Sequence, residues 1–159
     1  EIISTDAEGR QVLADAMCYA ARYKPDAMVD IATLTGAIGI ALGPDLAGLF
    51  CDDETLRGRL TAAGQWTGEA LWPMPLWKPY RKLLDTDAAD MKHTGGRLGG
   101  AITAAMFLRE FAGEQPWAHL DIASVAWQEE NSAFAVRGAS GFGARLLLEL
   151  LRAYAAGEQ

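Results

Sequence analysis

Three short apolar runs constrain this chain more than any other feature: residues 28–34 (MVDIATL), 46–51 (LAGLFC) and 117–123 (WAHLDIA). The first is rich in branched side chains and lacks the polar alternation of a half-solvated strand, so it reads as a strand buried on both faces. The second reads as another strand and the third as a central one. Segments of helical period alternate with them. Residues 11–23 place Val12, Leu13, Ala16, Met17 and Ala20 on one side until Lys24-Pro25 ends the pattern. Asp53 is a suitable N-cap for a helix over 54–65. A shorter helix is predicted over 78–84. Another is predicted over 100–111, where Gly100, Ala101, Ala104 and Ala105 permit close approach to a neighbour, and a closing helix with a leucine face over 140–153. Residues 35–37 read as a small-residue loop, 72–75 (WPMP) as an irregular, rigid crossing, and 85–100 as a loop. This order predicts the α/β class, a layered sheet with helices on both sides, in a single domain over 1–159.

With 159 residues, half of them apolar, the chain can bury a genuine core. The 14 Lys plus Arg against 21 Asp plus Glu give a net charge of −7, which disfavours attraction to nucleic acid or an anionic membrane surface. No apolar run reaches the length of a membrane span, and the amino terminus does not resemble a signal peptide, so a cytoplasmic location is expected. Cys18 and Cys51 lack C-x-x-C spacing and sit in apolar contexts, which reads as reduced core thiols.

The chemistry-bearing stretch is Ser4-Thr5-Asp6-Ala7-Glu8-Gly9-Arg10. If extended, it would set Asp6, Glu8 and Arg10 on one face. Two carboxylates there suit Mg or Mn and accept Zn, while a forked guanidinium can hold a small oxyanion beside them. The spacing alone more readily describes a solvated salt-bridge face. His93 and His119 belong to no metal-ligand spacing, and His119, inside an apolar strand, reads as a hydrogen-bonded core histidine. Gly138-Ala139-Ser140-Gly141-Phe142 fails the G-x-S-x-G nucleophile elbow, so Ser140 reads as a helix N-cap. Gly95-Gly96-Arg97-Leu98-Gly99-Gly100 misses both common phosphate-loop patterns and reads as a turn with close helix packing.

The whole heptad closely resembles the N-T-D-A-E-G-R signature of the leucyl aminopeptidase family (M17), with Ser4 in place of Asn. The likeness continues in the family's order through Ala32-Thr33-Leu34-Thr35-Gly36-Ala37, Ala89-Asp90-Met91-Lys92-His93-Thr94-Gly95, Gly100-Ala101-Ile102-Thr103-Ala104-Ala105, Trp117-Ala118-His119-Leu120-Asp121-Ile122-Ala123 and Gly138-Ala139-Ser140-Gly141-Phe142-Gly143-Ala144-Arg145.

The resemblance implies a three-layer α/β/α architecture with a mixed central sheet, phosphorylase/hydrolase-like and incomplete on its N-terminal side. It also implies a metal-dependent aminopeptidase that releases leucine and similar residues from peptides, with two divalent ions, Mn or Zn and acceptably Mg, activating a water. Asp6 and Glu8 would be metal ligands, Glu8 bridging. Arg10 would hold a bicarbonate-like anion that relays a proton. Leu34 would offer a backbone carbonyl and Gly36 a backbone amide to substrate, with Thr33, Gly36, Ala123 and Ala126 lining the pocket for the first side chain. Family members assemble as hexamers. Their remaining ligands, a Lys and two Asp, and a second Lys precede the heptad, so this chain resembles the carboxy-terminal half of the catalytic domain and is expected to be inactive alone. His93 for Asn and Ser124-Val125 for Gly-Thr depart from the pattern. A non-catalytic oligomerisation module and a DNA-binding regulatory relative are the alternatives, the second disfavoured by the acidic balance.

Overall fold

A polypeptide segment that is apolar on both sides can be accommodated only where other elements cover both its faces, and the sheet is arranged accordingly. In the computed structural model, which describes residues 1–131 and 136–157, strands β1 (Met28–Ala32), β2 (Ala47–Cys51), β3 (Leu71–Met74) and β4 (Trp117–Asp121) pair in the order β1-β4-β2-β3. β4 runs parallel to β1 and antiparallel to β2, and β2 runs parallel to β3, so the sheet is mixed. Every residue of the inner strands β2 and β4 is buried, whereas the outer strands are buried only in part. A two-stranded pair, β5 (Trp127–Gln128) with β6 (Gly138–Ala139), stands apart from this sheet.

Helices α1 (Gly9–Ala21), α2 (Gly36–Leu42), α3 (Glu54–Thr67), α4 (Gly100–Arg109) and α5 (Ala144–Ala156) form the outer layers. Alternation along the strands sorts them. Ala118 and Leu120 of β4 join Leu49 of β2 in one core with Leu56 and Leu60 of α3 and Leu146 of α5. Trp117 faces the opposite way, into a core with Met17 of α1 and Phe107 of α4. Phe50 lies on that second side too, with Ile38 of α2 and Ala101 and Ala105 of α4. The three-layer α/β/α arrangement follows from this two-sided burial, in which each large side chain contributes about 1.5–3 kcal/mol.

The small residues at the start of α4 act as the sequence suggests: a Cβ added at Gly100 would come within 3.2 Å of the Ala37 Cβ. Asp53 caps α3 by accepting from the Leu56 amide at 2.7 Å. Other expectations need correction. The loop predicted at 35–37 is the start of α2, because the Thr35 hydroxyl accepts from the Ile38 amide at 3.2 Å and caps a helix there. The crossing predicted at 72–75 contains β3, whose Pro73 is tolerated because the strand lies at the sheet edge, beside β2 alone. The short helix over Lys78–Leu84 is of the 3₁₀ type. Ser140 is not the N-cap of the closing helix: its hydroxyl accepts from the Phe142 amide, and Gly143, at φ 96°, precedes α5. The buried Glu69 carboxylate accepts from the Leu146 amide at 2.8 Å, satisfying a first-turn donor from across the fold. Cys51 is buried as expected, but Cys18 is exposed because it lies on the solvent side of α1.

Candidate functional site

The heptad is not a strand. Thr5–Ala7 form a 3₁₀ turn capped by the Ser4 hydroxyl, which accepts from the Asp6 amide, and the Glu8 carbonyl then accepts from the Gln11 and Val12 amides to open α1. Glu8 has helical φ and ψ of −68° and −34°, so the i, i+2 register that would align Asp6, Glu8 and Arg10 on one strand face does not exist. Local capping and the helix that follows outweigh the alternating pattern. Asp6 and Glu8 are exposed, whereas Arg10 is 7% exposed within the first turn of α1.

Arg10 is held by one strong contact, its Nη1 donating to the His93 carbonyl at 2.7 Å. Its Nε is buried without a hydrogen-bond partner in the structure. Burial pushes the guanidinium below its ordinary pKa, and the negative charge of Asp121 partly opposes this; an Arg so placed remains protonated at neutral pH. His93, 2% exposed, braces the same segment from its other side. Its Nε2 donates to the Ser4 carbonyl at 2.7 Å, and the Ile3 amide lies 3.2 Å from its Nδ1. In sequence His93 stands outside any metal-ligand spacing and departs from the family's Asn, and no periodicity could signal a contact across 89 positions of sequence.

The remaining candidates gather at the ends of β1 and β4. Ala32 and Asp121 are in register at the last position of this parallel pair, so the chain leaving β1 (Thr33, Leu34, Thr35) and the chain leaving β4 (Ile122, Ala123) run side by side. The fully buried Asp121 joins them, accepting at Oδ1 from the amides of Leu34, Thr35 and Ala123 and at Oδ2 from the Thr35 hydroxyl. Gly36 begins α2. Ala126 follows one residue after Val125, both their amides donating to the Ile122 carbonyl at 3.0 Å. Ser124 donates to the Leu46 carbonyl at 2.9 Å and sits under Gly39, where an added Cβ would meet its Cβ at 3.6 Å. The structure thus brings Thr33, Leu34, Gly36 and Ala123 into one locality around Asp121.

His119 is a core histidine. It is fully buried, stacked beside Phe50 and Trp117, and paired through Nδ1 with Asp30 at 2.5 Å. Among the described residues no cluster of three or more His, Cys, Asp or Glu could hold a metal ion. Asp6 and Glu8 stand as two exposed carboxylates of the first turn, with no third such residue joining them in a cluster among the described residues.

Residues 1–148 match the sequence model of the cytosol aminopeptidase family, catalytic domain. The chain belongs to that family. It is 54% identical over 153 residues to a probable cytosol aminopeptidase of Roseiflexus castenholzii and 59% identical over 152 residues to one of a Chelativorans species. These matches cover 96% and 95% of the chain but 31% of each relative, so the chain spans about a third of their length. Among solved structures, the bottromycin maturation enzyme BotP superposes with a TM-score of 0.95 at 43% identity, covering 99% of this chain and 35% of that one. BotP has also been solved in complex with Mn, a structure that superposes with a TM-score of 0.92 at 43% identity and covers 97% of this chain and 35% of that one. A mutant of tomato leucine aminopeptidase superposes with a TM-score of 0.89 at 42% identity, covering 94% of this chain and 29% of that one. The mixed sheet with helices on both sides is the fold that the chain shares with these solved structures.

Proposed function

We propose that the whole protein carrying this chain is a metal-dependent aminopeptidase acting on the N-terminal residue of peptides, and that residues 1–159 are the carboxy-terminal part of its catalytic domain. The observation that carries the reading is the family match over residues 1–148, a span that includes the heptad, the Thr33–Gly36 turn and the end of β4. The Mn complex of the similar BotP supports divalent ions as cofactors. Asp6 and Glu8 would contribute their carboxylates to such ions together with donors from outside this chain, and the ions when bound supply Lewis acidity toward a carbonyl and a water.

The chain's own residues have separable tasks. Arg10 keeps an unsatisfied Nε–H in a buried setting, which suits a bicarbonate-like anion. Leu34 offers a carbonyl acceptor to the substrate and Gly36 an amide donor. Thr33, Gly36, Ala123 and Ala126 bound a pocket that small side chains leave open to Leu or Met. Homo-oligomeric assembly, as a hexamer, is part of the same reading, as is a cytoplasmic location; among the described residues no helix is long and apolar enough to cross a membrane.

The test is hydrolysis of Leu-p-nitroanilide by the whole protein, with calorimetric titration of Mn and Zn. Asp6→Ala and Glu8→Ala should each lower kcat/KM by about 100-fold or more and weaken metal binding by about 10- to 100-fold, the scale associated with disturbed metal sites. Wild-type activity and affinity in both variants would remove these residues from the site. The isolated 159-residue chain is expected to be inactive or nearly so.

A further inference from the structure

We propose that Asp121 is a positioning residue for the substrate: its buried carboxylate sets the peptide planes of the Thr33–Gly36 turn and ties them to the pocket residue Ala123. This deepens the aminopeptidase reading and rests on it for the identity of the substrate, a peptide amino terminus.

Four donors converge on this one carboxylate. The Leu34 amide reaches Oδ1 at 3.1 Å, the Thr35 amide at 3.3 Å and the Ala123 amide at 3.3 Å, while the Thr35 hydroxyl reaches Oδ2 at 2.7 Å. An ionised carboxylate offers about four acceptor positions. Asp121 is 0% exposed and takes three donors on Oδ1 and one on Oδ2, all from the protein itself, so its carboxylate is directed at the amides and hydroxyl of these loops rather than at solvent. Its chemistry is spent on geometry.

Planarity of the peptide bond gives that geometry a consequence. In a trans peptide the N–H and the preceding C=O point in opposite directions. Because the Leu34 and Thr35 amides both aim at Asp121, the Thr33 and Leu34 carbonyls must aim away from it. Two successive acceptors are thereby presented on the far side of the turn, where an incoming ammonium or amide N–H would need them. The Thr35 hydroxyl passes the constraint onward: it donates to Asp121 and accepts from the Ile38 amide at 3.2 Å, so the same carboxylate also fixes the first turn of α2, which begins at Gly36. The third amide, that of Ala123, brings in the other wall of the pocket. Asp30, on the same face of the neighbouring strand, is the structural comparison. It holds the Trp117 and His119 side chains and touches no substrate-turn amide among its hydrogen bonds in the structure.

The experiment uses the whole protein. Asp121→Asn preserves shape but replaces an acceptor by a donor, and Thr35→Val removes only the hydroxyl, with Thr35→Ser as its conservative counterpart. With Leu-p-nitroanilide, Asp121→Asn and Thr35→Val should each lower kcat/KM by about 10- to 100-fold, the scale of a small misplacement of a bound substrate. Thr35→Ser should restore it to within about threefold by returning the same hydrogen bond. Asp30→Asn should lower Tm and leave kcat/KM unchanged. Independently of activity, hydrogen exchange at the Leu34, Thr35 and Ala123 amides should accelerate by at least about tenfold in Asp121→Asn, while the β4 amides stay protected. Unchanged kcat/KM in Asp121→Asn and Thr35→Val with only a lower Tm, or unchanged exchange at the three amides, overturns the proposal. If Asp121→Asn does not fold, the Thr35 pair decides. A wild-type protein that hydrolyses no aminoacyl substrate overturns the aminopeptidase reading instead; the exchange result then decides the positioning role alone.

Discussion

The two cysteines carry opposite environments on similar apolar sequence contexts. Cys18 lies exposed on α1, whereas Cys51 closes β2, with its thiol donating to the Asp53 carbonyl at 3.2 Å. Burial pushes the Cys51 thiol above its ordinary pKa; the backbone hydrogen bond at Asp53 and the Arg57 charge oppose this in part, while the Asp52 and Asp53 charges add to it. Its thiolate fraction is therefore depressed throughout the neutral range and rises only above the usual thiol pH. Iodoacetamide at pH 8 should label Cys18 at least about tenfold faster than Cys51 in the folded protein, a ratio that should collapse on denaturation. Peptide mapping by mass spectrometry checks this. Sequence could place both thiols outside any metal or disulfide pattern, but which turn of α1 faces solvent depends on what packs against the helix. His119 was legible as a core histidine because its neighbours in sequence are apolar. The partner Asp30, 89 positions away, was not.

Helix α3 shows how an element can be correct in outline and still be fixed by a contact outside itself. Asp53 begins it and Gly68, at φ 73°, ends it in the left-handed conformation that favours glycine. Two glycines inside it are alike by propensity alone. At Gly58 an added Cβ would meet nothing within 4 Å, whereas at Gly64 it would lie 2.7 Å from the Glu69 carbonyl oxygen. Gly58→Ala should stabilise the protein by about 0.5–1 kcal/mol through helix propensity and a less flexible unfolded chain. Gly64→Ala should destabilise it by about 1–3 kcal/mol, because backbone must move to admit the methyl. Denaturant midpoints for the two variants check the difference in sign. The same lesson covers β3: Pro73 argued against a strand, yet an edge position has no ladder to lose on its outer side.

Across the whole molecule the charge of −7 sets the outward behaviour. Duplex DNA of mixed sequence should show no salt-sensitive retardation with this protein even at low ionic strength, because too few cations are present to displace counterions. A gel shift that weakens as salt is raised would revive the DNA-binding alternative. Buried strands alternating with helical segments were enough to specify a sheet covered on both faces, since apolar runs without a solvated side leave no other arrangement. The heptad and its companion motifs were enough to place the chain in its family, because short chemical signatures in fixed order survive as sequence. Strand order, the antiparallel β2–β4 pairing and the helical form of the heptad were not legible, because they depend on pairing and capping between segments. Nor was Asp121, which looks in sequence like one acidic residue ending an apolar strand. Only the tertiary structure surrounds it with the amides of two separate loops, because β1 and β4 become parallel neighbours though nearly ninety residues apart.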